Sequence, residues 1–339
     1  MLKIDAHNHI LPSHMPDFKA RFGHGGFMTI KEVEDAPELR DMVRDDGVFF
    51  RRVEENCLSL EARLVQMDEF DVDVQVLSTV PVLFCYWAPG EEAAEVARFL
   101  NTDLAQKVAK YPKRFVGLAS VPMQDPKHAE IELRYAMNEL GLSGVQIGSH
   151  IGNVNLDDDS LTSFFSACEE LGAAIMVHPW DMMGKETMPD YWLPWLVGMP
   201  AETSRAICSM IFGGIFDRHP KLKVMFAHGG GSFPATIGRI EHGYNVRPDL
   251  CATKISKSPR TYLNRFYIDS ITHDARALQY ILELMGPKQV MLGTDYPFPL
   301  GELTPGRLIE GMELSASDKE RLLSGSALEW LGLSAEHFL

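Results

Sequence analysis

His7 and His9 stand two residues apart in the opening stretch Leu2-Lys3-Ile4-Asp5-Ala6-His7-Asn8-His9-Ile10. The apolar lead of Leu2 and Ile4 predicts a strand, in which residues i and i+2 share a face. Two imidazoles aimed at one point suit a transition metal, because neutral imidazole is its commonest protein ligand. With 12 histidines in 339 residues, an isolated pair is a weak signal. It gains weight from what answers it downstream. Ala173-Ala174-Ile175-Met176-Val177 runs into His178, Lys223-Val224-Met225-Phe226-Ala227 into His228, and Gln289-Val290-Met291-Leu292-Gly293-Thr294 into Asp295.

A catalytic zinc-type site takes three or four N/O ligands and keeps one position open for water. His7, His9, His178 and Asp295 meet that requirement with one ion per subunit. His228 is then placed to hold or deprotonate a water whose pKa a metal lowers to about 7. A fourth apolar run ends Ile147-Gly148-Ser149 without a lysine, so a modified-lysine bridge to a second ion is not expected. His150 and His273 follow other runs and are weaker candidates; His14, His24, His219 and His337 fall in loops, helix ends or the tail. Gly229-Gly230-Gly231 permits close backbone approach to a ligand ahead of a helix N-terminus, although a plain turn reads equally well.

These residues need a frame that brings distant run-ends together. From residue 58 onward, amphipathic segments (58–70, 91–110, 127–140, 160–171, 200–216, 232–243 and 275–285) alternate with short apolar runs. The runs are 72–78, 115–121, 144–149, 173–178, 223–228, 265–269 and 289–295. With the opening strand they number eight, which predicts parallel strands with right-handed crossovers closed as a (β/α)8 TIM barrel. An open doubly wound sheet is the lesser alternative, since no glycine fingerprint follows the first strand. In such barrels chemistry sits where the strands end. Residues 11–56 break the rhythm with prolines, glycines and two β-prone pieces (27–30 and 48–53). They read as a small β-rich insertion, a lid or substrate wall, within a single 1–339 domain. Residues 317–332 read as a last helix on the outside of the barrel. The run from His178-Pro179-Trp180 to Tyr191-Trp192-Leu193-Pro194-Trp195 is too apolar for a free loop and should wall the site or bury in a subunit contact.

Composition bounds the partners. Lys and Arg total 32 against 47 Asp and Glu, a net charge of −15. That argues against non-specific binding of nucleic acid or anionic membrane, and means an anionic substrate needs locally placed arginines. Five scattered cysteines without a CxxC pair fit a reducing, cytoplasmic setting. No apolar run reaches the roughly 20 residues of a membrane span.

HxH on the first strand, histidines on the fifth and sixth, and aspartate on the eighth resemble the amidohydrolase superfamily. Within it the chain resembles the zinc decarboxylases of the kynurenine branch of tryptophan breakdown. The likeness runs nearly end to end. It is carried by Ile4-Asp5, His7-x-His9-Ile10-Leu11-Pro12, Tyr86-Trp87, the run from Tyr191 to Thr203, Ala227-His228-Gly229-Gly230-Gly231, and Gly293 to Leu303. HxH is common among hydrolases; the tryptophan run is more specific. The resemblance implies non-oxidative decarboxylation of a small dicarboxylate, zinc on His7, His9, His178 and Asp295, and His228 as general acid/base. It further implies Arg51 on a substrate carboxylate, Trp195, Phe298 and Met182 as pocket walls, and Arg239 reaching into the neighbouring site of a homodimer. Arginine's planar fork suits carboxylates; Arg247 is a weaker candidate for the same duty. The chain departs from the family pattern near Asp45 and Asp46, where a lysine is expected and Arg44 is the substitute. A hydrolase or hydratase, or a decarboxylase of phenolic acids, would use the same mouth residues.

Overall fold

The computed structural model describes residues 1–338. Among them, eight parallel strands follow one another around a barrel: β1 (Ile4–Ile10), β2 (Val74–Thr79), β3 (Phe115–Ala119), β4 (Gly144–Gly148), β5 (Ala174–His178), β6 (Lys223–Phe226), β7 (Tyr267–Asp269) and β8 (Val290–Met291). The ring is sealed between its last and first members by backbone hydrogen bonds from Ala6 N to Leu292 O (2.8 Å), Asp295 N to His7 O (2.9 Å) and His9 N to Tyr296 O (2.8 Å). Alternating helix and strand thus produces the expected (β/α)8 barrel. The eighth strand is shorter than the apolar run 289–295 predicts: regular pairing stops at Met291, and the segment from Leu292 to Asp295 turns into the mouth.

The barrel interior is apolar. Ile4, Ala6, Val74, Val76, Val116, Leu118, Ala174, Met176, Met225 and Met291 form one buried cluster, into which Ala327, Trp330, Leu331 and Phe338 pack from the end where the strands begin. The chain end therefore plugs the floor rather than lying along the outside. It does so as helix Ala316–Glu320, a π turn over 321–325 and helix Ser326–Leu331, burying Ala327, Trp330 and Leu331 against the barrel cluster. Helix starts are fixed by local chemistry: Asp125 caps helix Pro126–Asn138 through the His128 N–H, and Asp274 caps helix Ala275–Met285 through the N–H groups of Arg276 and Ala277.

After β1 the chain builds helix Phe18–Phe22 and an antiparallel three-stranded sheet of Met28–Glu32, Leu39–Arg44 and Phe49–Glu54. The middle strand carries three charged residues among six and buries Met42 alone, so its sequence shows no apolar run. This sheet joins the barrel through a cluster including Leu11, Phe27, Met28, Met42, Val53, Leu83 and Phe298. No described helix is long and apolar enough to cross a membrane.

Candidate metal centre and active site

The strand carrying the HxH pair changes parity partway along. Ile4 and Ala6 face the apolar interior, which in an unbroken strand would turn His7 and His9 outward. The register slips between Asp5 and Asn8, and a bulge of this kind re-aims the side chains beyond it. Both imidazoles then meet at the mouth, their Nε2 atoms 3.2 Å apart.

The other predicted residues arrive from β5, β6 and β8. Ligand atoms of His7, His178, His228 and Asp295 all lie within 4.8 Å of one another. Asp295 Oδ1 is 3.1 Å from His9 Nε2 and 3.5 Å from His7 Nε2, and its Oδ2 is 3.5 Å from His228 Nε2. Atoms bound tetrahedrally at about 2.0–2.1 Å from one ion sit roughly 3.3 Å apart, so this spacing fits a single metal. Asp295 and His228 adopt positive φ values of 58° and 59°, a costly conformation for residues with a Cβ and one found at functional sites. Gly293 is required for the approach: a Cβ there would come within 2.9 Å of His7 Cβ and 2.8 Å of Asp269 Cβ.

Each imidazole is set by what its far nitrogen touches. His7 Nδ1 lies 2.7 Å from Asp269 Oδ2, His9 Nδ1 2.9 Å from the Thr79 carbonyl and His178 Nδ1 2.8 Å from the Pro179 carbonyl. Carbonyl acceptors require N–H at Nδ1, which leaves Nε2 as a lone-pair donor toward the cluster, the usual outer support of metal-bound histidine. The Nε2 of His178 is buried with no hydrogen-bond partner, as are both ring nitrogens of His228. Buried polar atoms left this way are rare, and the lone pair of His178 Nε2 is open to a metal ion.

Electrostatics agree. Burial, followed by the neighbouring imidazoles, holds His178 well below the usual histidine range; burial also lowers His9 against the opposing pull of Asp295. Both are neutral and ready to bind metal. Burial works against ionising Asp295, but the adjacent His228 and His9 imidazoles outweigh it and keep the carboxylate charged. Burial likewise disfavours charging His228, and Asp295 and Asp269 reverse the balance, raising its pKa.

Asp269, at the end of β7, belongs to the same assembly and is fully buried. Its oxygens take His7 Nδ1 and the backbone N–H groups of His228 (2.8 Å), Gly229 (2.7 Å) and Ile271 (3.1 Å). Sequence reasoning placed it in a strand and assigned it nothing; an acid ending an apolar run beside the mouth was the available signal. Arg63, also fully buried, was missed altogether: it donates to the His9 carbonyl and to Gln75 Oε1 at 3.1 Å.

A cavity of about 900 Å³ opens over the cluster. His9, His178 and Asp295 form part of its lining, together with Arg51, Trp195, Phe298 and Met182. The Arg51 guanidinium lies 4.5 Å from the Phe298 ring centre, and desolvation lowers its pKa while Asp295 partly restores it. Arg44 also lines the cavity, but its Nε is 2.9 Å from Asp46 Oδ1, so much of its charge is already matched. Arg239 does not join these residues: it is exposed on helix Phe233–Val246, away from the lining. Arg247 is exposed and paired with Asp249.

A parallel barrel with a histidine–aspartate metal cluster at its C-terminal mouth defines a class of metal-dependent enzyme, and the comparisons narrow it. The amidohydrolase family profile matches residues 4–333. The chain is 55% identical over 339 residues to the 2-amino-3-carboxymuconate-6-semialdehyde decarboxylase of Dictyostelium discoideum, covering 100% of this chain and 94% of that protein. It is 40% identical over 382 residues to the enzyme of the same name from Caenorhabditis elegans, covering 98% and 94%. Among solved structures, 5-carboxyvanillate decarboxylase from Sphingomonas paucimobilis superposes with a TM-score of 0.82 at 24% identity, over 98% of this chain and 99% of that one. A manganese-bound dihydroxybenzoic acid decarboxylase from Polaromonas gives 0.78 at 23% identity, over 99% and 98%. The chain belongs to the amidohydrolase family, in its branch of 2-amino-3-carboxymuconate-6-semialdehyde decarboxylases. It is a metal-dependent carboxy-lyase.

Proposed function

We propose that the protein removes CO2 from 2-amino-3-carboxymuconate-6-semialdehyde, giving 2-aminomuconate-6-semialdehyde in the kynurenine pathway of tryptophan degradation, in the cytoplasm and with one zinc ion per subunit. The observation that carries the reading is a single cavity lined by His9, His178 and Asp295 of the metal cluster and by Arg51, in a chain that matches the Dictyostelium enzyme end to end. His7, His9, His178 and Asp295 hold the ion. When bound, zinc supplies Lewis acidity at the cavity floor. Arg51 grips a substrate carboxylate and, braced on Phe298, orients it. His228 moves the proton: its Nε2 faces Asp295 and delivers H⁺ to the carbon bearing the departing carboxylate. The C–CO2 bond then breaks and its electron pair returns to the conjugated chain. Trp195, Phe298 and Met182 exclude water around that chain, and the three-stranded insertion supplies the wall bearing Arg51.

The active form is a homodimer in which Arg239 enters the neighbouring site. Exposed Tyr191, Leu196, Val197, Val246 and Leu250 support such a contact, since a monomer rarely exposes so much apolar surface. Decarboxylation of a phenolic acid is the second reading. It is favoured by the tryptophan-rich lining and by 29% identity to a Rhodococcus jostii gamma-resorcylate decarboxylase. The test is CO2 release from freshly generated 2-amino-3-carboxymuconate-6-semialdehyde and from gamma-resorcylate, with zinc-loaded and chelator-stripped protein side by side. Zinc-dependent release from the first substrate is expected; release from the second alone would replace the assignment.

A further inference from the structure

One wall of the mouth is supported from outside the site. Glu202, the fourth residue of helix Met199–Phe212, is fully buried, where an unpaired carboxylate is not tolerated. Its Oε1 accepts from the backbone N–H of Met183 at 2.8 Å and its Oε2 from Ser149 Oγ at 3.2 Å. Arg205 Nη2 lies 2.7 Å and His150 Nε2 3.7 Å from the same Oε2. One side chain thus ties the segment after β5 to the end of β4. In that segment Trp180 and Met182 line the cavity. The Trp180 indole lies across Gly148, where a Cβ would come within 2.5 Å of it, and its Nε1 donates to the His150 carbonyl at 2.6 Å. The same segment supplies the Pro179 carbonyl that sets the tautomer of His178.

We propose that Glu202 is a positioning residue for decarboxylation: it clamps residues 179–183 against the end of β4 and so fixes where Trp180 and Met182 hold the substrate. Glu202 is not part of the cavity lining and acts through the Met183 amide. The inference rests on the decarboxylase reading for its kinetic consequence, but not for its structural one.

The test uses Glu202→Gln in the zinc-loaded full chain, which keeps the side chain's size and loses its charge and one acceptor oxygen. Hydrogen–deuterium exchange is expected to quicken in residues 179–185 and to stay at the wild-type rate in the other barrel segments. In steady-state kinetics KM should rise roughly tenfold with kcat changed less than about threefold, because the wall contributes binding rather than proton transfer. Gly148→Ala displaces Trp180 by a different route, so the double variant should raise KM by less than the product of the single effects. Unchanged exchange in 179–185 with only a lower melting temperature, or KM effects that multiply, would reduce Glu202 to a structural core residue and overturn the proposal. If Glu202→Gln does not fold, Ser149→Ala removes one donor and must still quicken exchange in 179–185; failure to do so overturns it equally. Exchange needs no substrate, so wild-type protein that releases no CO2 would sink the decarboxylase reading while the clamp is judged separately.

Discussion

Replacing Asp269 by Asn should weaken metal binding more than its distance from the cavity suggests. The carboxylate receives four N–H donors. Oδ2 takes His7 Nδ1 and His228 N; Oδ1 takes Gly229 N and Ile271 N. An amide presents one oxygen and one NH2, so in either orientation its NH2 meets two donors head-on. Each buried donor left unmatched costs about 1–3 kcal/mol, giving roughly 2–6 kcal/mol before the loop at 228–231 relaxes. Part of this appears as lost stability and part as lost metal affinity. Removing the acceptor behind a metal-bound histidine typically weakens metal binding about 10–100-fold, equivalent to about 1.4–2.8 kcal/mol. Zinc competition against a chromophoric chelator measures the affinity, and thermal melting of the metal-free protein measures the remainder. A variant that melts normally and binds zinc as wild type would refute the idea that Asp269 sets His7, and with it the outer support inferred for the cluster.

His228→Ala should retain stoichiometric zinc while kcat falls by about 10²–10⁴, the usual range for losing a general acid; loss of zinc from the folded variant would make His228 a ligand instead. Arg51→Ala and Arg239→Ala should each lose activity, and subunit exchange between them should restore about a quarter of it through hybrid dimers with one intact site; no recovery on mixing would exclude a shared site. Burial, followed by the charge of Glu310, pushes the Glu302 carboxyl up to about 7. Its folded pKa exceeds the unfolded one, so folding takes up a proton, and stability held below about pH 4.5 is lost as pH rises through about 7, by at most about 3 kcal/mol. Urea midpoints across that window should flatten in Glu302→Gln, and an unchanged slope would assign the effect to other groups such as buried Asp5.

The barrel was legible because each of its layers repeats a local pattern: an apolar run long enough to be buried, then an amphipathic helix. The mouth cluster was legible for the same reason, since His178, His228 and Asp295 each terminate such a run. What the chain does through tertiary contact was not legible. Glu202 and Arg63 approach from the outer layer; Glu202 reads as an ordinary acid in the first turn of its helix, and nothing within several residues of Arg63 marks it as different from a surface charge. The middle strand of the insertion escaped because a strand covered on one face by a small cluster needs only Met42 to be apolar. Arg44 illustrates a further limit: its place in the lining follows from its strand, but the partial cancellation of its charge depends on Asp46 turning back toward it. Arg239 stands on the surface of its helix, and nothing in the periodicity around it sets it apart from other exposed arginines.

Charge balance at the mouth explains why the cluster is arranged around a divalent ion rather than merely able to accept one. Asp295 and Asp269 are both buried and both held ionised, by hydrogen bonds and neighbouring imidazoles that outweigh burial. His9 and His178 are kept neutral. Two negative charges thus lie beside the neutral rings of His9 and His178, a costly state in a low-dielectric interior unless cations face them. In the protein alone the compensation falls to His228, whose imidazolium Asp295 and Asp269 stabilise, and to Arg51, whose charge Asp295 helps maintain. A divalent cation among the Nε2 atoms supplies the missing charge at the point toward which every fixed Nδ1 contact aims them. It also takes over the compensation that His228 otherwise supplies. The metal cluster and His228 are therefore one electrostatic unit: Asp269 holds His7 in place and also raises His228, and its charge cannot be changed for one without disturbing the other.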